Sequence, residues 1–531
     1  MGSGACSVSF EDVLKTETLF FLGSEVFASH PILAQKVLRA LEQKTKLIVA
    51  DPIFTPLAQK AHLWLKIRPG TDVALLNGIA YVVLRDKLYD EYFIQNHLAN
   101  FEQFQDYIFT QWKLENVERI TGINKVLLEQ VAYLFASSEK GLILWGLGLV
   151  QHKSGSYAAM AAANLASLCG FWGKAGCGAV PLRGHCNVQG VCDLGGLPYY
   201  WPGYQDFRQK QVQQKFAKLT KVKLPTQPGL DLSQMIQKGV KGELKALYLI
   251  GYNLAASHSQ LKTVWQALNN VELVVVQDIL ENTSVDFADV VLPAACVFEK
   301  QGTFTSGERR IQLFEQAIPP PERAWPDWKI LLKLAEKMGH KWNYTSPEDI
   351  AQEISQVWQA WNGVNYQRLR ATGLQWPCPS LNHPGTPLLF AYGFPKTKID
   401  LALPPYLAPL SKNLDNYPLL LITGKRLAHF RTGVKTLNSH YLRQVEPEPI
   451  LEINPKDAKT YNLEDRTWVK LKNSQGELKV RLKWEKKVPP GYLFTDFHFP
   501  EAMVNVLIGK EEDVLVHTPE YKVIPVEIER I

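Results

Sequence analysis

Through the first half of the chain, short unbroken apolar runs alternate with stretches in which apolar side chains recur at every third or fourth position. The first rhythm is that of buried strands, the second that of helices with one apolar face. It predicts strands over Thr18–Leu22, Lys46–Ala50, Leu63–Ile67 and Leu142–Trp145, and helices over Pro31–Glu42, Thr71–Leu84 and Ala158–Leu168. Such alternation builds a parallel sheet covered by helices on both faces. A second unit of the same plan starts near Leu244, with strands Ala246–Ile250, Leu273–Val276 and Val290–Leu292 around a helix Ser259–Leu268. From Gln375 to Pro418 the chain is proline-rich and aperiodic, the texture of an irregular connection laid over a surface. Short β-rich segments then follow at Leu419–Ile422, Ile450–Ile453, Thr467–Leu471, Leu478–Leu482 and Tyr492–Thr495, separated by Asn-Ser-Gln-Gly and Pro-Pro-Gly turns, and predict a small barrel. The fold class is therefore α/β, two doubly wound parallel-sheet units followed by a carboxy-terminal β-barrel. The expected boundaries are 1–186, 187–374, 375–417 (the connection) and 418–531.

Composition narrows the class without changing that picture. The 531 residues are 46% hydrophobic and 21% charged, enough apolar material for several full cores. A net charge of +6 with no dense Lys/Arg run argues against nucleic acid as a partner. No apolar run approaches the ~20 residues of a membrane span, and the amino-terminal residues lack the pattern of a signal peptide, so a cytoplasmic location is expected. The seven cysteines include no C-x-x-C, and the spacings of Cys169, Cys177, Cys186 and Cys192 match no cluster-ligand run. They read as buried free thiols, and neither an iron–sulfur cluster nor a metal ligand is expected within the chain.

Candidate chemistry collects at strand ends, where open α/β sheets bind ligands. Ser24, Asp51, Asp72 and His152 fall there in the first unit, and Gly251, Asn253, Asp278 and Thr283 in the second. From spacing alone Asp51 reads as a helix cap and Asp72 as a first-turn acid, and the plainer alternative for Asp278 and Thr283 is that they cap the next turn. The glycine-punctuated loop 181–203 sets Arg183, His185, Asn187 and Gln189 together, a composition suited to an anion; a salt bridge from Arg183 to a local carboxylate is the plainer alternative. On composition alone Glu308-Arg309-Arg310 is a solvated charge patch.

Pro181-Leu-Arg183-Gly-His185-Cys-Asn187-Val-Gln189-Gly-Val-Cys-Asp193-Leu-Gly resembles the molybdopterin oxidoreductases, and within them the catalytic subunit of formate dehydrogenases, whose pattern runs close to P-L-R-G-x-N-N-V-Q-G-x-C-D-M-G. Further blocks follow in the family's order: Leu22-Gly-Ser-Glu25 with His30-Pro31; Asp51-Pro52 with Arg68-Pro-Gly-Thr-Asp72; Glu299 to Arg310; Thr423-Gly-Lys425-Arg426 to Gly433; and Glu446 to Asp457. The family's Gly-Ser-Asn is Gly23-Ser24-Glu25 here, and its Asp-Pro-Arg is Asp51-Pro52-Ile53.

The resemblance implies one molybdenum or tungsten ion held by two molybdopterin guanine dinucleotides. Ser24, Asp51 and Asp72 match contacts to the first dinucleotide, with His152 a further cofactor-binding candidate, and Gly251, Asn253, Asp278 and Thr283 match contacts to the second. Asn187, Gln189, Thr305, Arg309 and Arg310 match polar and cationic positions around the pterins, and Arg426, His429, Thr432 and Asn505 match barrel positions that close over them. Arg183 matches the arginine that orients formate, and His185 a neighbour that places or exchanges a proton. The reaction implied is oxidation of formate to carbon dioxide, with electrons leaving through an iron–sulfur polypeptide. The family's amino-terminal cluster domain and metal-ligating cysteine or selenocysteine have no match, so the chain is expected to work with an amino-terminal part supplied separately. A non-catalytic structural subunit of a redox complex and a molybdopterin-binding protein are the alternative readings.

Overall fold

The computed structural model describes residues 4–220, 224–396, 398–410 and 416–531. Residues 1–3 of the amino-terminal segment, and residues 397 and 411–415 of the aperiodic connection, lie outside the described residues.

The first sheet holds five parallel strands: β1 (Thr18–Leu22), β2 (Lys46–Ala50), β3 (Leu63–Leu65), β4 (Gly141–Trp145) and β5 (Gly178–Pro181), in the order β3-β2-β1-β4-β5. Because side chains alternate across a sheet, each apolar run feeds two cores. Phe20, Leu22, Ile48, Ala50 and Ile143 face one helical layer; Leu19, Phe21, Leu47, Val49, Leu142 and Leu144 face the other. Fully burying each of the larger of these side chains contributes about 1.5–3 kcal/mol. The helix Asp72–Arg85 is buried nearly all round, because a further helical layer covers it: Glu91–His97, Phe101–Gln111, Leu114–Thr121 and Lys125–Ala136. That layer was absent from the sequence reading.

The second sheet runs Val290–Pro293, Leu273–Asp278, Ala246–Ile250, all parallel, with helices Leu232–Val240 and Leu261–Asn270 packed on its core. Beyond it, strands Gly302–Thr305 and Arg310–Phe314 pair antiparallel and are joined by Leu374–Gln375, a small sheet that the α/β periodicity did not anticipate.

The aperiodic connection is irregular as expected, but it is not merely laid over a surface. Trp376 and Cys378 are buried in one cluster, and Ile399 and Leu401 in the core of the first unit. Asn100 and Asn164 fix it by hydrogen bonds to Leu401 and Ala402. The final domain is a closed six-stranded barrel, Leu419–Thr423, Tyr492–Thr495, Ile450–Ile453, Glu477–Trp484, Trp468–Lys472 and Ile524–Arg530 in spatial order. The last of these strands, unforeseen in the sequence, closes it by pairing with both Leu419–Thr423 and Trp468–Lys472. Among the described residues no helix is long and apolar enough to cross a membrane.

Candidate active site

The order of the first sheet reverses beside β1, and the loops leaving β1, β2 and β4 diverge there, as at other topological switch points. The barrel covers that crevice and closes a cavity of about 480 Å3. Gly23, Ser24, Glu25, Asp51, Asp72, Gly146, Gly148 and His152 line one wall; Lys425, Arg426, Glu446, Glu452, Lys487 and Lys522 line the other. At Gly23 φ is +51°, and a Cβ would lie 2.6 Å from the Gly148 carbonyl carbon, so only glycine lets the two strand-end loops cross.

The cavity holds a cluster of buried ionisable groups. Burial pushes the Asp51 carboxyl up to about 7, against a hydrogen bond from the Ile53 N–H at 2.9 Å. Asp51 makes a local turn of its own, since the next helical turn begins only at Ala58, and the helix-cap reading is corrected. Asp72 opens its helix, as a first-turn acid does, while also lining the cavity; burial raises it to about 6. Burial and the neighbouring Lys425 push Lys522 down to about 8. Burial opposes a charge on His152, but Glu520, 3.0 Å from its Nδ1, outweighs this and raises its pKa. The two departures from the family pattern have local partners. Glu25 accepts hydrogen bonds from the N–H groups of Phe27 and Leu57, and Ile53 packs with Ile422 and Val488 of the barrel.

A second cavity of about 410 Å3 adjoins the first and shares Leu147, Thr423 and Phe497 with it. Gly251, Asn253, Asp278, Thr432, Asn505 and His185 line it, with Arg431, Lys435, Tyr252 and Tyr521. Gly251 turns at φ +61° into open space at the end of its strand. Asn253 donates to Thr432 at 3.5 Å and Asn505 to the Ser257 carbonyl at 2.7 Å, so these pairs tie the second unit to the barrel. Asp278 accepts from Ile279 N–H and from Asn282, and Asn282 accepts from the Ser284 N–H at the head of the next turn. The cap of that turn is thus Asn282, correcting the cap reading of Asp278 and Thr283; Thr283 does not line the cavity.

The loop 181–203 bridges the cavities, for Leu182 and Gly184 line the first and His185 the second. It contains a short helix, Val188–Asp193. His30 bonds the Arg183 carbonyl at 2.9 Å. The Arg183 guanidinium donates to Gln189 at 3.3 Å and to the Gly4 carbonyl, rather than to a carboxylate. Gln189 is held in turn by Asp193, which also accepts from Tyr204 and Trp376. Asn187 accepts from the Thr305 N–H at 2.9 Å, which docks the loop on the small antiparallel sheet.

Several candidates stand outside both cavity walls. Arg309 is completely buried, not solvated, and donates to the carbonyls of Cys6, Trp376, Thr386 and Pro387. Arg310 is held by Glu308, Gln375 and the Gly373 carbonyl. His429 bonds Thr436 and the Glu446 carbonyl within the barrel. Arg183, Asn187, Gln189 and Thr305 also lie off the two linings. Of the cysteines, Cys6, Cys169, Cys177 and Cys378 are buried, but Cys192 and Cys296 are only half-buried and Cys186 is exposed, a correction to the buried-thiol reading. Sequence reasoning missed Lys425, Arg431, Glu446, Lys487, Glu520 and Lys522. Lys425, Arg431 and Glu446 sit within recognised blocks, whereas Glu520 and Lys522 lie in a stretch without a motif.

Residues 2–337 match the family described as molybdopterin oxidoreductase, and residues 419–525 the molydopterin dinucleotide binding domain. The chain is 38% identical to the F420-dependent formate dehydrogenase subunit alpha of Methanocaldococcus jannaschii, over 100% of this chain and 79% of that one. It is 31% identical to formate dehydrogenase H of Escherichia coli, over 100% and 75%. It is 32% identical to the assimilatory nitrate reductase catalytic subunit of Bacillus subtilis, over 97% and 75%. In fold it is similar to acetylene hydratase from Pelobacter acetylenicus, with a TM-score of 0.79 at 20% identity, covering 100% of this chain and 80% of that one.

Proposed function

The chain belongs to the molybdopterin oxidoreductase family, and from that premise we propose that it oxidises formate to carbon dioxide with two molybdopterin guanine dinucleotides and a molybdenum or tungsten ion. It is an oxidoreductase of formate-dehydrogenase type; substrate, cofactor form and individual residue roles are the proposal. One observation carries it: two adjacent cavities at the strand ends of two α/β units share a wall, cross-linked by the loop of Arg183 and His185.

The residues present fit such a cofactor. Gly23 and Gly148 leave a cradle that a Cβ would fill. Lys425 and Lys522 present cations to one cavity, each depressed first by burial, and an anionic pyrophosphate would relieve them. Glu446 Oε2 is buried without a hydrogen-bonding partner, and Glu446 lines the same cavity, suited to a nucleotide N–H or O–H. Ser24, Asp51, Asp72, His152 and Arg426 would hold the first dinucleotide; Gly251, Asn253, Asp278, Thr432 and Asn505 would hold the second. His429 supports the first wall from behind through the Glu446 carbonyl, and Thr283 opens the turn that Asn282 caps beside the second. Asn187, Gln189, Thr305, Arg309 and Arg310 act by fixing the bridging loop and its platform. When bound, the metal supplies two-electron redox chemistry. Arg183 orients the formate carboxylate, a task for a permanent, planar charge, and Gln189 holds that fork in place. An iron–sulfur polypeptide as electron acceptor, a cytoplasmic location and division at 1–186, 187–374, 375–417 and 418–531 belong to the same proposal.

The test is expression in a host that makes the cofactor. Acid release of guanine nucleotide, metal analysis and formate-dependent reduction of a viologen dye are expected to be positive together, with nitrate as the competing substrate. A chain that carries nucleotide and metal but turns over nitrate alone would refute the substrate; one that carries neither would refute the site.

A further inference from the structure

We infer that Arg431 is a positioning residue that keeps the His185 imidazole neutral with its proton on Nδ1, so that His185 can donate a hydrogen bond to an anion at the bridging loop but cannot take up a proton there. The inference deepens the formate reading and rests on it for its catalytic meaning.

The geometry starts from a donor that cannot accept. Arg431 Nε–H points at Nε2 of His185, and a guanidinium has no acceptor atom, so Nε2 must offer its lone pair. A neutral imidazole bonded in that way carries its hydrogen on Nδ1. Phe430 fixes the ring plane by packing edge-on against it, with centroids 5.0 Å apart at 85°.

Arg431 is itself held by a relay from the barrel wall. Its backbone is left-handed, φ +53°, and its carbonyl accepts from His498 Nδ1 at 2.6 Å. His498 Nε2 accepts from the Arg426 N–H at 3.1 Å. The Arg426 guanidinium is anchored on Asp496 at 2.7 Å and Glu452 at 3.3 Å. A residue lining the first cavity therefore fixes, through one neutral histidine, the state of another lining the second.

The charges around His185 agree. The groups facing its ring are Arg431, Lys425 and Lys435, all cations, and burial together with these three pushes its pKa down to about 4. At neutral pH the ring is uncharged, and Arg183 alone supplies the permanent positive charge of the loop. As formate becomes carbon dioxide it yields two electrons and one proton; the electrons go to the acceptor, and on this geometry the proton does not go to His185. The resemblance to formate dehydrogenases implied the opposite use, a histidine of ordinary pKa placed to exchange that proton.

The experiment follows the imidazole directly, in the full chain labelled with 13C at histidine Cε1, the His185 resonance being assigned from its absence in His185→Asn. In the wild type that resonance is expected not to titrate between about pH 5.5 and 8, whereas in Arg431→Ala its midpoint is expected to rise measurably toward, but stay below, the ordinary histidine value of about 6.5, because burial, Lys425 and Lys435 still oppose the charge. Arg431→Gln, which keeps a donor to Nε2 without the charge, covers the case in which the alanine variant fails to fold, and is expected to hold the tautomer while raising the midpoint. A wild-type midpoint near 6.5, or identical titrations in wild type and both variants, would overturn the inference. In the loaded enzyme, Arg431→Ala should acquire an acid limb in formate turnover at the midpoint its own His185 titration shows. Titrations as expected with no formate turnover in any form would sink the formate reading and leave the positioning role standing.

Discussion

His152 and Glu520 face each other at 3.0 Å, with side chains only 4% and 2% exposed, and this pair joins the first α/β unit to the barrel. The raised His152 pKa contributes stability that is complete below about 6.5 and is lost as pH rises through the raised value. The lowered Glu520 pKa contributes stability present above about 4.5 and lost as pH falls through the lowered value. The pair is thus strongest between those limits. Glu520→Gln is expected to cost about 3 kcal/mol near pH 6, because it leaves a buried partner unmatched, with the difference narrowing as His152 loses its proton. Thermal melts of both proteins across pH 5 to 9 check this, and an equal melting temperature at pH 6 would contradict it.

Arg183→Lys keeps the charge of the bridging loop but loses the planar fork and the Nε contact to Gln189. Formate turnover is expected to fall by about 10- to 100-fold, the worth of one charge-assisted hydrogen bond of about 1.5–3 kcal/mol, with the melting temperature little changed. Steady-state kinetics beside a melt would show it; a normal kcat/KM would remove Arg183 from the reaction.

Lys522, held down to about 8, is half neutral in mildly alkaline solution. An anion placed beside it favours the charged form, so binding of guanosine diphosphate to the cofactor-free chain should take up protons at pH 8 to 9. Calorimetry in buffers of different ionisation enthalpy measures that uptake. Lys522→Met should lower it and weaken binding; unchanged uptake would place the proton elsewhere, Asp51 being the next candidate.

Arg309→Met would leave four backbone carbonyls, those of Cys6, Trp376, Thr386 and Pro387, without their donor. A loss of at least about 3 kcal/mol is expected from several unsatisfied buried groups. The readout is a lower melting temperature even in protein carrying no cofactor, which separates a structural clamp from a cofactor contact. A variant that melts normally yet loses nucleotide would reverse that assignment.

Much of the candidate site was legible because its residues follow short apolar strands and come in compact blocks. Ser24 and Asp51 could be placed at strand ends from periodicity alone, since a buried strand must stop where the polar residues begin, whereas His152 lies beyond its strand by one short helix, Leu147–Val150. Arg309 shows the limit. Side by side with Glu308 and Arg310 it has the composition of a wet patch, yet its own left-handed backbone at φ +69° turns it inward against Trp376, away from its neighbours. Cys186 failed the other way, an apolar-type residue on an exposed loop.

By itself the sequence determined the two α/β units, the barrel texture and the resemblance that carries the chemistry, because strand and helix periods and contiguous motifs are local properties of the chain. Only the tertiary structure decided which charges meet. Glu520 and Lys522 lie more than half the chain away from His152 and Asp51, and Arg431 is remote from His185, so no spacing rule links them. The barrel brings them together by closing on Ile524–Arg530, a strand whose pairing partners are fixed by long-range hydrogen bonds rather than by its own pattern. That closure covers the crevice, removes water from its ionisable groups and sets their protonation.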